Sequence, residues 1–230
     1  MKILGLEKSS LLDYPGKISA VIFTYGCNLR CPYCHNPELV VEPFNEDREI
    51  TEKYLMEFLK HRVGKLDAVV ITGGEPLIQN DLLPLVEGIK EMGYLIKLDT
   101  NGFLPDKLKR IIKTGYIDYI AMDVKYPRSE YIKQTGKSIA QEKISTSIDI
   151  IMNSGIDYEF RTTYVRKFHD LESVEKIGQM IEGAERYYIQ NFRAGKTIDP
   201  FLSEDNSFSQ KELKEIKKVM KKYVKKVYIR

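Results

Sequence analysis

Ala68-Val-Val-Ile-Thr-Gly-Gly-Glu-Pro76 begins as a β-branched apolar run and breaks off into two glycines, an acid and a proline. A short run without polar alternation suits a strand covered on both faces, as in a parallel sheet. The break falls at the carboxyl end of that strand, where ligands bind in parallel α/β folds. The same arrangement recurs along the chain. Candidate strands are Val21–Thr24, Ala68–Thr72, Leu95–Asp99, Tyr119–Met122, Asp157–Val165, Tyr187–Gln190 and a short Val227–Ile229. A cysteine-rich loop follows the first and Gly73-Gly74-Glu75-Pro76 the second. Asp99-Thr100-Asn101-Gly102 follows the third and Asp123-Val124-Lys125 the fourth. Arg161 to Arg166 runs along and past the fifth, and Gln190 to Gly195 follows the sixth. Six such loops converge on one pocket if the strands lie side by side.

Helix-period segments separate the strands: Thr51–Val63, Asp81–Met92, Leu104–Lys113, Glu142–Asn153 and Leu171–Ile181. Ser209 and Glu212 form a capping-box pattern ahead of a last amphipathic helix at about 209–225. This alternation predicts an α/β fold of six βα units, a partial (β/α)6 TIM-like barrel; a doubly wound sheet is the alternative that periodicity leaves open. No repeat or linker divides the 230 residues, so one domain is expected.

Hydrophobic residues make up 43% and charged residues 30%, which supports a packed core and argues against disorder. Lys and Arg exceed Asp and Glu by 36 to 33, a net +3 too small to argue for nucleic acid or an anionic membrane. No apolar run approaches the ~20 residues of a spanning helix, and the first ten residues lack a signal-peptide core. A cytoplasmic protein with no nucleic-acid or membrane partner is the expectation.

The three cysteines, Cys27, Cys31 and Cys34, lie in one short loop, Cys27-Asn-Leu-Arg-Cys31-Pro-Tyr-Cys34-His35. An odd count in one cluster is not a disulfide framework. Thiolates so spaced can turn onto one soft metal centre. Three of them on an iron–sulfur cubane leave one iron open to an outside chelator. A structural Cys3His zinc site using His35 is the bland alternative, made awkward by the adjacency of Cys34 and His35.

Cys27-x3-Cys31-x-Tyr33-Cys34 with Gly73-Gly74-Glu75-Pro76 downstream resembles the radical S-adenosylmethionine superfamily. Tyr14-Pro-Gly-Lys17, Phe23-Thr-Tyr-Gly-Cys27, Cys34-His-Asn-Pro-Glu38, Leu98-Asp-Thr-Asn-Gly102 and Met122-Asp-Val-Lys125 narrow the resemblance to the glycyl-radical-enzyme activases. The opening Gly5-Leu-Glu-Lys-Ser-Ser-Leu-Leu-Asp-Tyr-Pro-Gly16 and the late Tyr188-Ile-Gln-Asn-Phe-Arg193 with Asp199-Pro-Phe201 look most like the activating proteins of anaerobic ribonucleoside-triphosphate reductase. The resemblance implies a [4Fe–4S] cluster on Cys27, Cys31 and Cys34, with S-adenosyl-L-methionine chelating its fourth iron. It implies two protein partners: a glycyl-radical enzyme and a flavodoxin- or ferredoxin-type electron donor.

It also implies roles around that cofactor. Tyr33 packs on the adenine or merely fills a gap. His35 and Pro76 belong to the two motif loops. Gly73 and Gly74 let backbone approach a ligand, and Glu75 accepts from the methionyl ammonium. Thr100 and Asn101 line the same pocket. Asp123, Val124 and Lys125 all belong to the cofactor site; Asp123 and Lys125 share one face and meet the ribose and carboxylate. Arg161 reaches that carboxylate or forms a rim salt bridge. His169, before Asp170, reads as a helix-start residue. The lysines of the last helix read as a solvated face or a docking surface for an acidic partner. Three rival functions stand: a pyruvate formate-lyase activase, a small-molecule radical enzyme of the 7-carboxy-7-deazaguanine synthase type, and a zinc-stabilised binding module.

Overall fold

The apolar runs pair in the order in which the chain makes them. The structure, a computed structural model, describes residues 1–131 and 140–230. Eight strands form one sheet: β1 (Ile3–Ser10), β2 (Ser19–Thr24), β3 (Ala68–Gly73), β4 (Leu95–Thr100), β5 (Tyr119–Asp123), β6 (Asp157–Tyr164), β7 (Arg186–Asn191) and β8 (Lys226–Ile229). β1 is antiparallel to β2; every later neighbour is parallel. Among the described residues six helices lie on the crossovers: α1 (Glu52–Arg62), α2 (Leu82–Glu91), α3 (Pro105–Lys113), α4 (Ala140–Met152), α5 (Leu171–Met180) and α6 (Gln210–Met220).

The strand order never reverses, so the sheet has no topological switch point and the doubly wound alternative falls. Successive crossovers of one hand curl a sheet towards a barrel. The described residues contain no ladder between β1 and β8, which are the two edges of the sheet. The architecture is the partial (β/α) barrel that the alternation predicts.

Two elements differ from the sequence reading. β1 was not foreseen, because Ile3-Leu-Gly-Leu-Glu-Lys-Ser-Ser10 is apolar only at its start; burial fades along it towards exposed Glu7 and Lys8, which blunt an edge strand. The last helix stops at Met220 rather than near residue 225. Lys225 N–H and Lys226 N–H instead donate to the carbonyls of Ala184 and Glu185 (3.0 and 3.1 Å), which draws the chain into β8 beside β7. The Ser209–Glu212 capping box is present as expected.

The strand pleat sorts the side chains into two layers. Ile96, Leu98, Ile120, Met122, Tyr158 and Phe160 join the main core under the helices. Their alternates Lys97, Asp99, Ala121, Asp123, Glu159 and Arg161 form the other face. Register sets Asp99 beside Ala121 and Asp123 beside Arg161. Lower on that face Tyr14, Val21, Ala68, Val70 and Tyr119 make a small apolar floor. Charge is therefore concentrated at the carboxyl ends, above an apolar base.

Candidate active site at the carboxyl ends of the strands

A cavity of about 220 Å³ opens at the carboxyl ends of the parallel strands. Its lining brings together Cys27, Cys31, Tyr33, Cys34, His35, Gly73, Gly74, Glu75, Thr100, Asn101, Asp123, Lys125 and Arg161, contributed by the loops after β2 to β5 and by β6. Pro76 and Val124 are not in that lining, against the sequence reading. Pro76 is buried as the first residue of a short 3-10 turn. Val124 is buried in the helix-side core, since alternation that aims Asp123 and Lys125 at the cavity aims Val124 away.

The glycine pair has a tighter reason than ligand approach. Gly73 has φ +115°, and a Cβ there would lie 2.3 Å from Thr24 N. A Cβ on Gly74 would lie 1.9 Å from the Gly26 carbonyl oxygen. The two glycines let β3 press backbone to backbone on the entry to the cysteine loop. Gly74 N–H and Glu75 N–H then donate to the carbonyls of Thr24 and Gly26, both at 2.8 Å.

Glu75 is 1% exposed, so it is not a solvated acid of a surface turn. Its Oε1 accepts from Leu77 N–H (3.1 Å) and Thr100 Oγ1 (2.9 Å), and its Oε2 accepts from Asn101 N–H (2.7 Å). Burial pushes its carboxyl up to about 7 despite those donors and Lys125. Of the carboxylate's four acceptor positions, both on Oε1 and one of the two on Oε2 are filled, so Oε2 keeps room for one further donor.

Beside it runs a chain of alternating charges. Lys97 Nζ donates to Asp99 Oδ1 (2.6 Å), and Arg161 bridges Asp99 Oδ2 (3.0 Å) and Asp123 Oδ1 (2.5 Å). Lys125 Nζ closes it on Asp123 Oδ2 (3.0 Å). Burial alone would raise both acids, but Arg161 outweighs it, with Lys97 at Asp99 and Lys125 at Asp123, so each carboxyl is held below the usual range. Three cations meet two anions, leaving one positive charge for an anionic ligand. Lys97, Asp99, Thr72 and Thr163 were not among the sequence candidates. A charged pair spaced by two inside Leu95-Ile-Lys-Leu-Asp99 was the available signal for the first two.

The thiols line the same cavity, with Lys125 of the charge chain acting on Cys27 and Cys31. Burial pushes Cys27 up to about 12, opposed by Leu29 N–H at 3.4 Å from its Sγ, and burial raises Cys31 as well. Asn101 Nδ2 also donates towards Cys27 Sγ at 3.7 Å, and to Asn28 Oδ1 at 2.8 Å. Such thiols become thiolates only against a cationic centre, and a soft Lewis acid is what three sulfurs in one cavity suit. His35 Nε2 is engaged by the Arg193 carbonyl at 2.8 Å, which counts against its serving as a fourth zinc ligand through that nitrogen; among the described residues no three His, Cys, Asp or Glu are drawn in around one ion, for zinc or for a cluster. Three thiols and a buried charge chain with an excess cation, lining one cavity, fit an iron–sulfur cluster with an anionic chelator.

Tyr33 lies within an aromatic group, with Tyr126 at 6.0 Å, Phe168 at 5.9 Å and His169 at 6.4 Å between ring centroids. His169 does precede the α5 N-cap, Asp170, but it is buried: Nδ1 accepts from Val165 N–H (3.1 Å) and Nε2 reaches the Lys125 carbonyl (2.8 Å). It thus braces the end of β5. Lys222 and Lys225, in the turn after α6, pair with Glu175 and Glu185, as on a solvated face.

Residues 21–182 match the model of the Radical SAM superfamily. A protein named "Putative glycyl-radical enzyme activating enzyme" from Methanocaldococcus jannaschii is 36% identical over 99% of this chain and 95% of its own length. The pyruvate formate-lyase-activating enzyme of Clostridium pasteurianum is 28% identical over 79% of this chain and 76% of its own. In structure, Streptococcus suis SuiB superposes with TM-score 0.68 at 14% identity, over 91% of this chain and 48% of SuiB, so the chain spans about half of that protein. The chain belongs to the radical S-adenosylmethionine superfamily. Within it, the nearly full-length relation places it among the glycyl-radical-enzyme activating proteins.

Proposed function

We propose that this protein activates a glycyl-radical enzyme, with anaerobic ribonucleoside-triphosphate reductase as the partner. The observation that carries the proposal is the meeting, in one cavity, of three cysteine thiols, a buried acid and a charge chain with one cation in excess. A [4Fe–4S] cluster held by these cysteines, with S-adenosylmethionine bound and a flavodoxin- or ferredoxin-type donor supplying one electron, would supply reductive cleavage of the S–C5′ bond, with methionine as the leaving group and hydrogen abstraction from a glycine Cα as the outcome. This chain's residues do the rest. Cys27, Cys31 and Cys34 hold the cluster. Glu75 Oε2 accepts from the cofactor's ammonium, and Thr100 and Asn101 keep Glu75 in place. Lys125 and the free Arg161 nitrogen face the carboxylate, while Asp123, fixed between them, is left to the ribose. Gly73 and Gly74 hold the motif loops together, and Tyr33 and His35 wall the cavity. The aromatic group around Tyr33 packs behind the stretch between Cys31 and Cys34.

The test is incubation of anaerobically reconstituted, reduced protein with S-adenosylmethionine and the reductase. A glycyl-radical signal by electron paramagnetic resonance on the reductase is expected. A signal on pyruvate formate-lyase instead would favour the second reading, which the C. pasteurianum relative supports. Deoxyadenosine with no radical on either protein would overturn the proposal in favour of a small-molecule substrate. No described helix is long and apolar enough to cross a membrane, and a cytoplasmic setting is part of the proposal.

A further inference from the structure

The late motif Gln190-Asn-Phe-Arg-Ala-Gly-Lys-Thr-Ile-Asp-Pro-Phe-Leu202 takes no part in the cavity. Residues 193–201 leave the end of β7 and reach the loop after β2, on the far side of the incomplete barrel. They are lashed there at three places. The Arg193 carbonyl lies 2.8 Å from His35 Nε2. Lys196 Nζ pairs with Glu42 (2.8 Å) and Glu38 (3.4 Å). Asp199 N–H donates to the carbonyl of Pro32, between two of the cysteines, at 2.8 Å. Ile198 packs with Leu39 and Val40 of the same loop. The segment is a strap that closes the mouth on the side where β1 and β8 fail to pair.

The strap displays one large apolar side chain. Phe201 is 88% exposed, yet its backbone is fixed. Its N–H donates to Asp199 Oδ1 (3.0 Å), Asp199 Oδ2 accepts from Lys167 (2.9 Å), and the next residue, Leu202, is buried. Across the seam Val41, next to the gripped Glu42, is 49% exposed. The exposed Arg193 stands at the other end of the strap. Scattered exposed apolar residues are ordinary. A phenylalanine with a fixed backbone, on a segment tied to the cysteine loop and carrying an exposed arginine, has the composition of an interface anchor. Rigidity lowers the entropy lost on docking.

We propose that this strap is the receptor for the protein substrate: Phe201 enters an apolar recess on the glycyl-radical enzyme, and Arg193 meets a carboxylate beside it, which sets the partner's glycine loop over the cavity. The inference rests on the activase reading. That reading brings a protein backbone to this mouth, and the strap is the wall through which the cysteine loop meets any large visitor.

The test uses the full-length reconstituted protein and purified anaerobic ribonucleoside-triphosphate reductase. Phe201→Ser and Arg193→Glu should each raise the reductase concentration giving half-maximal glycyl-radical formation by ~tenfold. Deoxyadenosine release without the reductase, and iron content, should stay at the wild-type level. Phe201→Tyr should retain most of the wild-type behaviour. A photo-crosslinking residue at position 201 should label the glycine-bearing part of the reductase. Unchanged half-saturation, an equal loss of partner-free deoxyadenosine release, or crosslinks only to a second copy of this chain would each overturn the strap proposal. If the wild-type protein releases deoxyadenosine and radicalises no glycyl-radical enzyme, the activase reading itself fails, and the two failures are told apart.

Discussion

Glu75 shows how a single buried carboxyl links cofactor, fold and pH. Its folded value of about 7 lies above the ordinary 4.5. The folded protein therefore binds more protons than the unfolded chain between those values, and stability is lost as pH rises from about 4.5 through 7. Thermal unfolding of the cofactor-free protein should show that decline, and Glu75→Gln should flatten it. An ammonium docking on Oε2 favours the charged form, so S-adenosylmethionine should bind the wild type more tightly at pH 8 than at pH 6, and Glu75→Gln should erase the difference. Asp99 and Asp123 act in the opposite sense. Their lowered values give stability that is present above the ordinary carboxylate range and lost as pH falls below about 4. For the thiols the expectation is compositional: Cys31→Ala should lose most bound iron and sulfide after anaerobic reconstitution, measured by metal analysis, while Cys31 itself is too lightly packed on the core for the fold to be lost.

Among the elements, the junction of β3 with the cysteine loop is the least tolerant. A methyl group on Gly74 meets a carbonyl oxygen of the backbone rather than a side chain that can swing aside. Gly74→Ala should therefore cost about 2 kcal/mol or more by denaturant unfolding and should displace the loop that carries the thiols. Gly93→Ala, at a helix end with open space around its Cβ, should be milder, limited to the ~1 kcal/mol strain of its positive φ. The lysine at position 97 belongs to this scale too. It was not legible as a site residue, because periodicity assigns a face but not what the face meets. Only the β4–β5–β6 register puts Asp99 within reach of Arg161. Lys97→Met should remove one of the two cations on a buried carboxylate and cost about 3 kcal/mol, with Lys97→Arg losing less; urea titration of both measures it.

At the scale of the molecule, an incomplete ring leaves one side of the mouth without a strand. The strap from β7 to the cysteine loop spans that side through Arg193, Lys196 and Asp199. Lys196→Glu would place like charges on Glu38 and Glu42. Because each of these contacts is largely exposed and individually weak, the variant should lower the melting temperature only slightly. It should still increase protease cleavage between residues 193 and 201, which limited proteolysis reads.

Local chemistry was enough to determine the alternation of strand and helix, the six loops at the carboxyl ends, the thiol trio and most of the cavity lining. Periodicity and turn chemistry are short-range properties, written in neighbouring residues. Tertiary structure alone decided the rest. β1 exists because β2 offers it an edge, not because its own pattern demands a strand. Arg161 divides its fork between two acids that lie far from it in sequence. Val124 and Pro76 lie outside the cavity their neighbours line, and the loop after β7, read as a sixth cavity loop and a family signature, instead lies outside that lining and bridges to the cysteine loop. Each of these depends on register and crossover between distant segments, where the interaction energy belongs to pairs of residues that no local window contains.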